Sequence, residues 1–302
     1  MGGLGIDVTA SGERAIDERT VEWQRVIAAR YHVYQMLRYE YDSPISNLHN
    51  RLIITPRRRH LDQQRVANHL WTSASGPLAV MPDEFGNDIA DVDVAHVERE
   101  IVFTLESAIV RDSRFANTGA TSFDLFDPRW IGGSRLTRPN DRIFNVATEL
   151  RSRFPNDREL ALEIMHFVHA NMTYTKGVTD VFTTASTAFS QGRGVCQDFA
   201  HIAISIARAA GLSARYVSGH LLGEGATHAW TEFLVNDRTF GPTVLTLDPT
   251  YDTQTTFRYV TVAIGRDYDD VPPTSGYFNG DAAGKLNGQQ LVRLMDVTYA
   301  AA

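Results

Sequence analysis

The sequence predicts an α+β protein in which an N-terminal antiparallel β-sandwich precedes a core of helices packed on a mainly antiparallel sheet. Three observations carry this expectation. Short runs of alternating character fill Tyr31 to Val110, and apolar residues then recur at helical spacing in two segments, one after Asn156 and one after Cys196. From Ala214 onward strand-like runs return. At 302 residues, with 43% hydrophobic and 22% charged side chains, the chain has the length and composition for two compact domains with their own cores.

The elements follow in order. Residues 1–30 read as an N-terminal arm or docking helix, since Ile16, Val21, Trp23, Val26 and Ile27 give an imperfect helical spacing. Residues 31–114 read as the sandwich, with strands at Tyr31–Tyr41, Asn50–Thr55, Gln64–Trp71, Ile89–Ala95 and Arg99–Val110. Phe85-Gly86-Asn87-Asp88 supplies residues that tolerate positive φ and so forms a hairpin turn. Residues 115–138 mix Gly, Pro, Asp and Arg with Phe123, Phe126 and Trp130, the pattern of a linker pinned by its aromatics.

The core is expected over residues 139–302, C-terminal strands included. Asn156 and Glu159 resemble a capping box, after which Ala161, Ile164, Met165 and Val168 share one helix face. A second helix opens near Cys196, buries Phe199, Ile202, Ala203, Ile206 and Ala210, and stops at Gly211. Strands are expected at Ala214–Gly219, His228–Val235, Val244–Leu247, Tyr259–Ile264 and Leu291–Tyr299.

Bulk properties exclude several function classes. The net charge of −7 gives no positive field for nucleic acid or an anionic membrane surface. The basic run Arg57-Arg58-Arg59-His60 is expected to be a solvated loop. Met1–Ile6 lacks the features of a secretion signal and no apolar run is long enough to span a bilayer, so a cytoplasmic location is expected. His166 and His169 share a helix face without a third ligand, so no metal and no cofactor is expected. The oligomeric state is not legible.

The single cysteine is the chemical focus. Cys196 follows Gly192-Arg193-Gly194-Val195, so two glycines free the backbone just before the helix that it opens. At a helix N-terminus the unpaired N–H groups and the macrodipole favour thiolate over thiol, and the same N–H groups suit the oxyanion of a tetrahedral intermediate. A thiolate nucleophile needs a base that later protonates the leaving group. His228 opens a strand in Thr227-His228-Ala229-Trp230, which holds its ring in a fixed direction, whereas His201 lies too far around the helix to face Cys196. Asp248, in Leu247-Asp248-Pro249-Thr250, ends a short strand where a carboxylate can fix the imidazole tautomer. Tyr174 is a candidate oxyanion donor, and Asp198 a candidate to orient the amides of the helix start. No Gly-x-Ser-x-Gly elbow supports a serine hydrolase.

At these residues the chain resembles the transglutaminase-like superfamily, specifically bacterial proteins that join an N-terminal β-sandwich to a papain-like, transglutaminase-like core. The resemblance rests on Gly194-Val195-Cys196-Gln197-Asp198-Phe199-Ala200-His201, Ala214–Gly219, His228-Ala229-Trp230, Leu247–Thr250 and Gly265-Arg266-Asp267-Tyr268. Upstream it is carried by Tyr39–Pro44, Thr55-Pro56-Arg57 and Asp83–Asn87. It implies a Cys196-His228-Asp248 triad that forms a thioester from an amide, with Gln197, Asp198 and Trp230 as supporting residues. Relatives pass the acyl group to water, as a cysteine protease or amidase does, or to an amine, as a transglutaminase does; hydrolysis of a peptide or amide substrate is favoured because amine transfer demands exclusion of water. A binding module with a relic triad is the non-enzymatic alternative. The stretch Phe240–Thr246 and Tyr251 depart from the family pattern and mark a different cleft wall.

Overall fold

The computed structural model describes residues 15–115, 120–122 and 124–300. Met1–Ile6 and Phe123, both singled out in the sequence, lie outside the described residues. The chain begins with β1 (Val26–Tyr41), β2 (Ile45–Thr55), β3 (Arg59–His60), β4 (Gln63–Thr72), β5 (Gly76–Pro77), β6 (Met81–Pro82), β7 (Asp88–Val97) and β8 (Glu100–Asp112). Then come α1 (Pro128–Ile131), α2 (Asp141–Arg153), α3 (Asp157–Asn171), β9 (Thr173–Tyr174), α4 (Ala185–Gln191), β10 (Arg193–Gly194) and α5 (Cys196–Ala209). The core sheet is built from β11 (Ser213–Leu221), β12 (Thr227–Asp237), β13 (Gly241–Asp248), β14 (Thr253–Gln254) and β15 (Tyr259–Gly265), and β16 (Thr274–Asn279) and β17 (Gly284–Tyr299) close the described chain.

The sandwich pairs a sheet ordered β17-β1-β8-β4-β3, with β5 on β4, against a sheet ordered β16-β2-β7-β6. Leu37, Phe103 and Leu105 from the first meet Leu48, Leu52 and Val92 from the second, as period-two alternation requires. The closing strands depart from expectation here. β17, whose residues from Leu291 were expected as a core strand, hydrogen-bonds instead to β1, with Val292 opposite Val33 and Leu294 opposite Tyr31, and β16, at residues where no strand was expected, pairs with β2. Chain order does not reveal such long-range pairing, because an alternating strand carries no label for its partner.

The N-terminal segment also differs. Val26 and Ile27 belong to β1, and among the described residues before them lie only the short 3₁₀ turns Glu18–Thr20 and Trp23–Arg25. Ile16, Val21 and Trp23 pack on a cluster of Tyr31, Val33, Ile109 and Leu294 from the sandwich with Leu222 and Val260 from the core. β-branched Val26 and Ile27 suit the pleated surface of a strand, and cross-strand partners from β17 outweigh a weak helical period.

In the core, Phe199, Ile202 and Ile206 of α5 pack with Phe233 and Tyr216 of the sheet and Ile164 and Val168 of α3. Asn156 caps α3 by accepting from the Arg158 and Glu159 amides at 3.0 and 3.1 Å. Gly211 takes φ +76 just past α5, the left-handed conformation expected of it. The segment read as a linker is mostly exposed or half-buried among its described residues and is pinned to the core at Trp130, Leu136 and Thr137. Trp130 and Leu136 are buried, Phe126 is exposed, and the buried Arg208 of α5 donates to Trp130 O and Thr137 Oγ1.

The basic run is not a solvated loop either. Arg58 and Arg59 are exposed, but Arg57 donates to Phe85 O and Asn87 Oδ1, and His60 is buried with Nε2 at 2.6 Å from Glu232 Oε1. Arg215 Nε donates to the other oxygen of Glu232 at 2.6 Å. Burial pushes the Glu232 carboxyl up, yet the charges and hydrogen bonds of His60 and Arg215 outweigh this and hold it at about 2. Burial lowers His60, and the charge and hydrogen bond of Glu232 oppose that fall. The sandwich thereby grips β12, the strand that carries His228.

Candidate active site

Local geometry at the start of α5 explains the glycines. Gly192 adopts φ +66 and ends α4, its N–H bonded to Ala188 O at 3.0 Å. Arg193 and Gly194 then run parallel to Thr173 and Tyr174, which brings Tyr174 to the helix start. Asp198 is 1% exposed, and its Oδ2 accepts from Val195 N and Thr179 Oγ1, each at 2.7 Å. A Cβ on Gly194 would lie 2.4 Å from that oxygen, so no side chain fits there. Burial raises the Asp198 carboxyl, and these hydrogen bonds oppose the rise. Asp198 Oδ2 thus holds the Val195 amide that precedes Cys196.

Cys196 is partly buried at the first position of α5. His228 is 3% exposed on an interior strand, with Nε2 at 2.6 Å from Asp248 Oδ2. Burial lowers the affinity of the ring for its proton. Hydrogen bonds to Asp248 and to the Cys196 sulfur, with the charges of both, outweigh that and raise His228 to about 10. With Nε2 committed to Asp248, Nδ1 is the nitrogen left for the sulfur. Asp248 is fully buried, and its Oδ1 accepts from Thr250 N at 2.8 Å while Oδ2 also accepts from the Tyr259 hydroxyl at 2.8 Å.

The supporting candidates are distributed unequally. Trp230 is buried beside the His228 ring, with centroids 6.3 Å apart. It occupies the space where Gly219 lacks a side chain: a Cβ there would meet Trp230 Cη2 at 2.4 Å. Gln197 donates from Nε2 to Val181 O at 3.4 Å, so its amide tethers the neighbouring segment. Tyr174 is 48% exposed; burial and the nearby charges of Cys196 and Glu224 raise its hydroxyl, which keeps it a neutral donor. His201 is fully buried, accepts from Tyr268 N at Nε2, and is lowered by burial to about 3. His166 and His169 contact Asp252 Oδ1 and Thr250 O respectively.

Three groups around the histidine escaped the sequence reading of the site. Tyr251, marked only as a departure from a pattern, stacks on His228 with centroids 5.6 Å apart and donates its hydroxyl to Glu224. Glu224 Oε2 lies 3.6 Å from His228 Nδ1, and its spacing four residues before His228 was a readable signal. Tyr259 gave none, because an aromatic opening a strand is ordinary packing. A depression of about 500 Å³, lined by Glu18, Trp23, Leu222, Glu224, Tyr251 and Arg258 among others, adjoins these groups.

Comparison with known proteins gives concordant findings. Residues 145–243 match the transglutaminase-like superfamily core, and residues 31–110 match the bacterial transglutaminase-like N-terminal region. Asp248 lies just beyond the matched core. An uncharacterized protein of Mycobacterium leprae is 28% identical over 276 residues, covering 85% of this chain and 96% of its own. Another from Mycobacterium tuberculosis is 29% identical over 273 residues, covering 82% and 87%. A crystal structure of a candidate cysteine protease from Cytophaga hutchinsonii superposes with a TM-score of 0.73 at 19% identity, over 90% of this chain and 93% of that one. That likeness concerns the fold.

Proposed function

The chain belongs to the transglutaminase-like superfamily, and from that premise we propose that it is a cysteine hydrolase of amide or peptide bonds acting through Cys196, His228 and Asp248. The observation that supports this is His228 held at 2.6 Å by the buried Asp248, with Cys196 at the start of α5 among the groups that raise the same ring. Thiol-dependent acyl transfer is the chemistry such an arrangement supports.

In the proposed cycle the Cys196 thiolate attacks the amide carbon, and its electron pair forms the C–S bond while the carbonyl π pair moves to oxygen. Backbone N–H groups at the start of α5, with the Tyr174 hydroxyl, stabilise that oxyanion. His228 Nδ1–H then protonates the departing nitrogen as the C–N bond breaks, leaving a thioester and a neutral ring. The ring takes a proton from water, the resulting hydroxide attacks the thioester, and the acid product leaves as thiolate and imidazolium are restored. Asp248 orients the ring through Nε2 and stabilises the imidazolium. A ring raised to about 10 holds its proton at neutral pH, which suits the acid step that frees an amine.

A peptide and amide library assayed with wild type and Cys196→Ala tests the proposal, with a primary amine included in a parallel series. Hydrolysis by wild type and none by Cys196→Ala is the expected result. Amine incorporation in place of hydrolysis would identify a transglutaminase, and equal binding without turnover by both proteins would identify a binding module.

A further inference from the structure

The His228–Asp248 pair has a neighbour that the proposed cycle does not use. Tyr259, the first residue of β15, is 5% exposed and directs its hydroxyl to Asp248 Oδ2 at 2.8 Å, the oxygen that His228 Nε2 contacts at 2.6 Å. Its ring packs edge-on against Trp230, with centroids 5.3 Å apart, and lies 6.0 Å from the His228 ring. Burial, then the charge of Asp248 and the hydrogen bond to it, push this hydroxyl far above the usual phenol range, so it is a donor at every working pH.

Tyr259 is itself held from the sandwich. Arg111 of β8, fixed by a bidentate pair with Asp62, donates from Nη1 to Tyr259 O at 2.7 Å and to Thr256 O at 2.5 Å. Two residues on, Gln63 donates from Nε2 to Thr261 O at 2.7 Å and accepts from Thr261 N at 2.8 Å. Two side chains of the sandwich therefore clamp the short stretch of β15 that carries the phenol, and a clamped strand end holds a side chain in one direction. A carboxylate oxygen that accepts two hydrogen bonds divides its negative charge between them. Whatever fixes the phenol thus sets how strongly Asp248 pulls on the imidazolium.

We propose that Tyr259 is a positioning residue which, clamped by the sandwich through Arg111 and Gln63, shares Asp248 Oδ2 with His228 and limits how tightly His228 holds its proton. The proposal rests on the Cys196–His228–Asp248 mechanism but adds to it a function for the N-terminal domain: setting the proton affinity of the general acid from a distance.

The experiment is an NMR titration of His228 in ¹⁵N-histidine-labelled full-length protein carrying Cys196→Ala, which removes the coupled thiol, with His228→Ala for assignment. Adding Tyr259→Phe keeps the ring and removes only the hydroxyl. The His228 midpoint should then rise by about one pH unit, the scale of a hydrogen bond to a charged group. A midpoint unchanged within about 0.3 unit, or a fall, overturns the inference. Uniform 3-fluorotyrosine labelling supplies a second arm that does not depend on the folding of a variant. A more acidic phenol donates more strongly, so the midpoint should fall, and a midpoint that stays put or rises counts against the inference. Iodoacetamide labelling of the unmodified thiol separates the two levels. If Cys196 labels slowly and His228→Ala has no effect, the triad mechanism fails; if labelling depends on His228 while the titration ignores Tyr259, only the present inference fails.

Discussion

Replacing Gly194 by alanine should disable the helix start that presents Cys196. The added Cβ would lie 2.4 Å from Asp198 Oδ2 and 2.7 Å from both Cβ and Cγ of Asp198, far inside contact distance. Asp198 has no free direction to move, because Oδ2 holds Val195 N and Thr179 Oγ1 at 2.7 Å each. Relief of the clash therefore breaks one or both of these hydrogen bonds to a buried carboxylate, at about 1.5–3 kcal/mol each. Alanine offsets roughly 0.4–1 kcal/mol of this by restricting the unfolded chain. The net loss is about 1 kcal/mol if one bond breaks at the low end and about 5 kcal/mol if both break at the high end, against the roughly 5–15 kcal/mol that folded domains possess. Urea unfolding should show a lower midpoint at unchanged slope, and iodoacetamide labelling of Cys196 at pH 7 should slow by about tenfold as the helix amides turn away. A midpoint and labelling rate equal to wild type would refute the claim that Asp198 fixes the nucleophile.

Other consequences are open to measurement. Because His228 is raised above its usual value, turnover should persist through neutral pH and fall as pH rises through about 10, when the ring loses the proton the leaving group needs. The same shift stabilises the fold fully below about pH 6.5, and that contribution fades across the same upward window; a turnover limb centred near neutrality would contradict both statements. His60→Ala strips the buried Glu232 of one hydrogen bond and should destabilise the protein by about 1.5–3 kcal/mol in urea, whereas a loss below about 0.5 kcal/mol would mean that Arg215 alone suffices.

Much of the site was legible because its chemistry is local. The paired glycines, the cysteine at a helix start and the His and Asp at strand ends each constrain their own backbone, and the structure brings His228 and Asp248 together as their strand positions suggested. What escaped depends on distant partners. Arg57 and His60 look like a surface run until Asn87 and the Glu232–Arg215 pair are folded against them. β17 alternates like any strand, and only the register Val33 opposite Val292 reveals that it completes the sandwich. The weak helical period of Ile16 to Ile27 yielded to cross-strand pairing, because β17 supplies partners for Val26 and the residues after it. Tyr259 acquires meaning solely from an oxygen contributed by another strand. Sequence periodicity fixes which face a residue takes, and the contact across that face has to come from the fold.

The central claim is that Cys196 carries an acyl group during turnover. Incubating the full-length protein with a bacterial lysate, quenching in acid and mass-analysing the Cys196 peptide tests this directly. The expected result is an added acyl mass on Cys196 that neutral hydroxylamine removes, that is absent in Cys196→Ala and that is diminished in His228→Ala. A Cys196 peptide that stays unmodified in wild type, under conditions where amide hydrolysis proceeds, would contradict it.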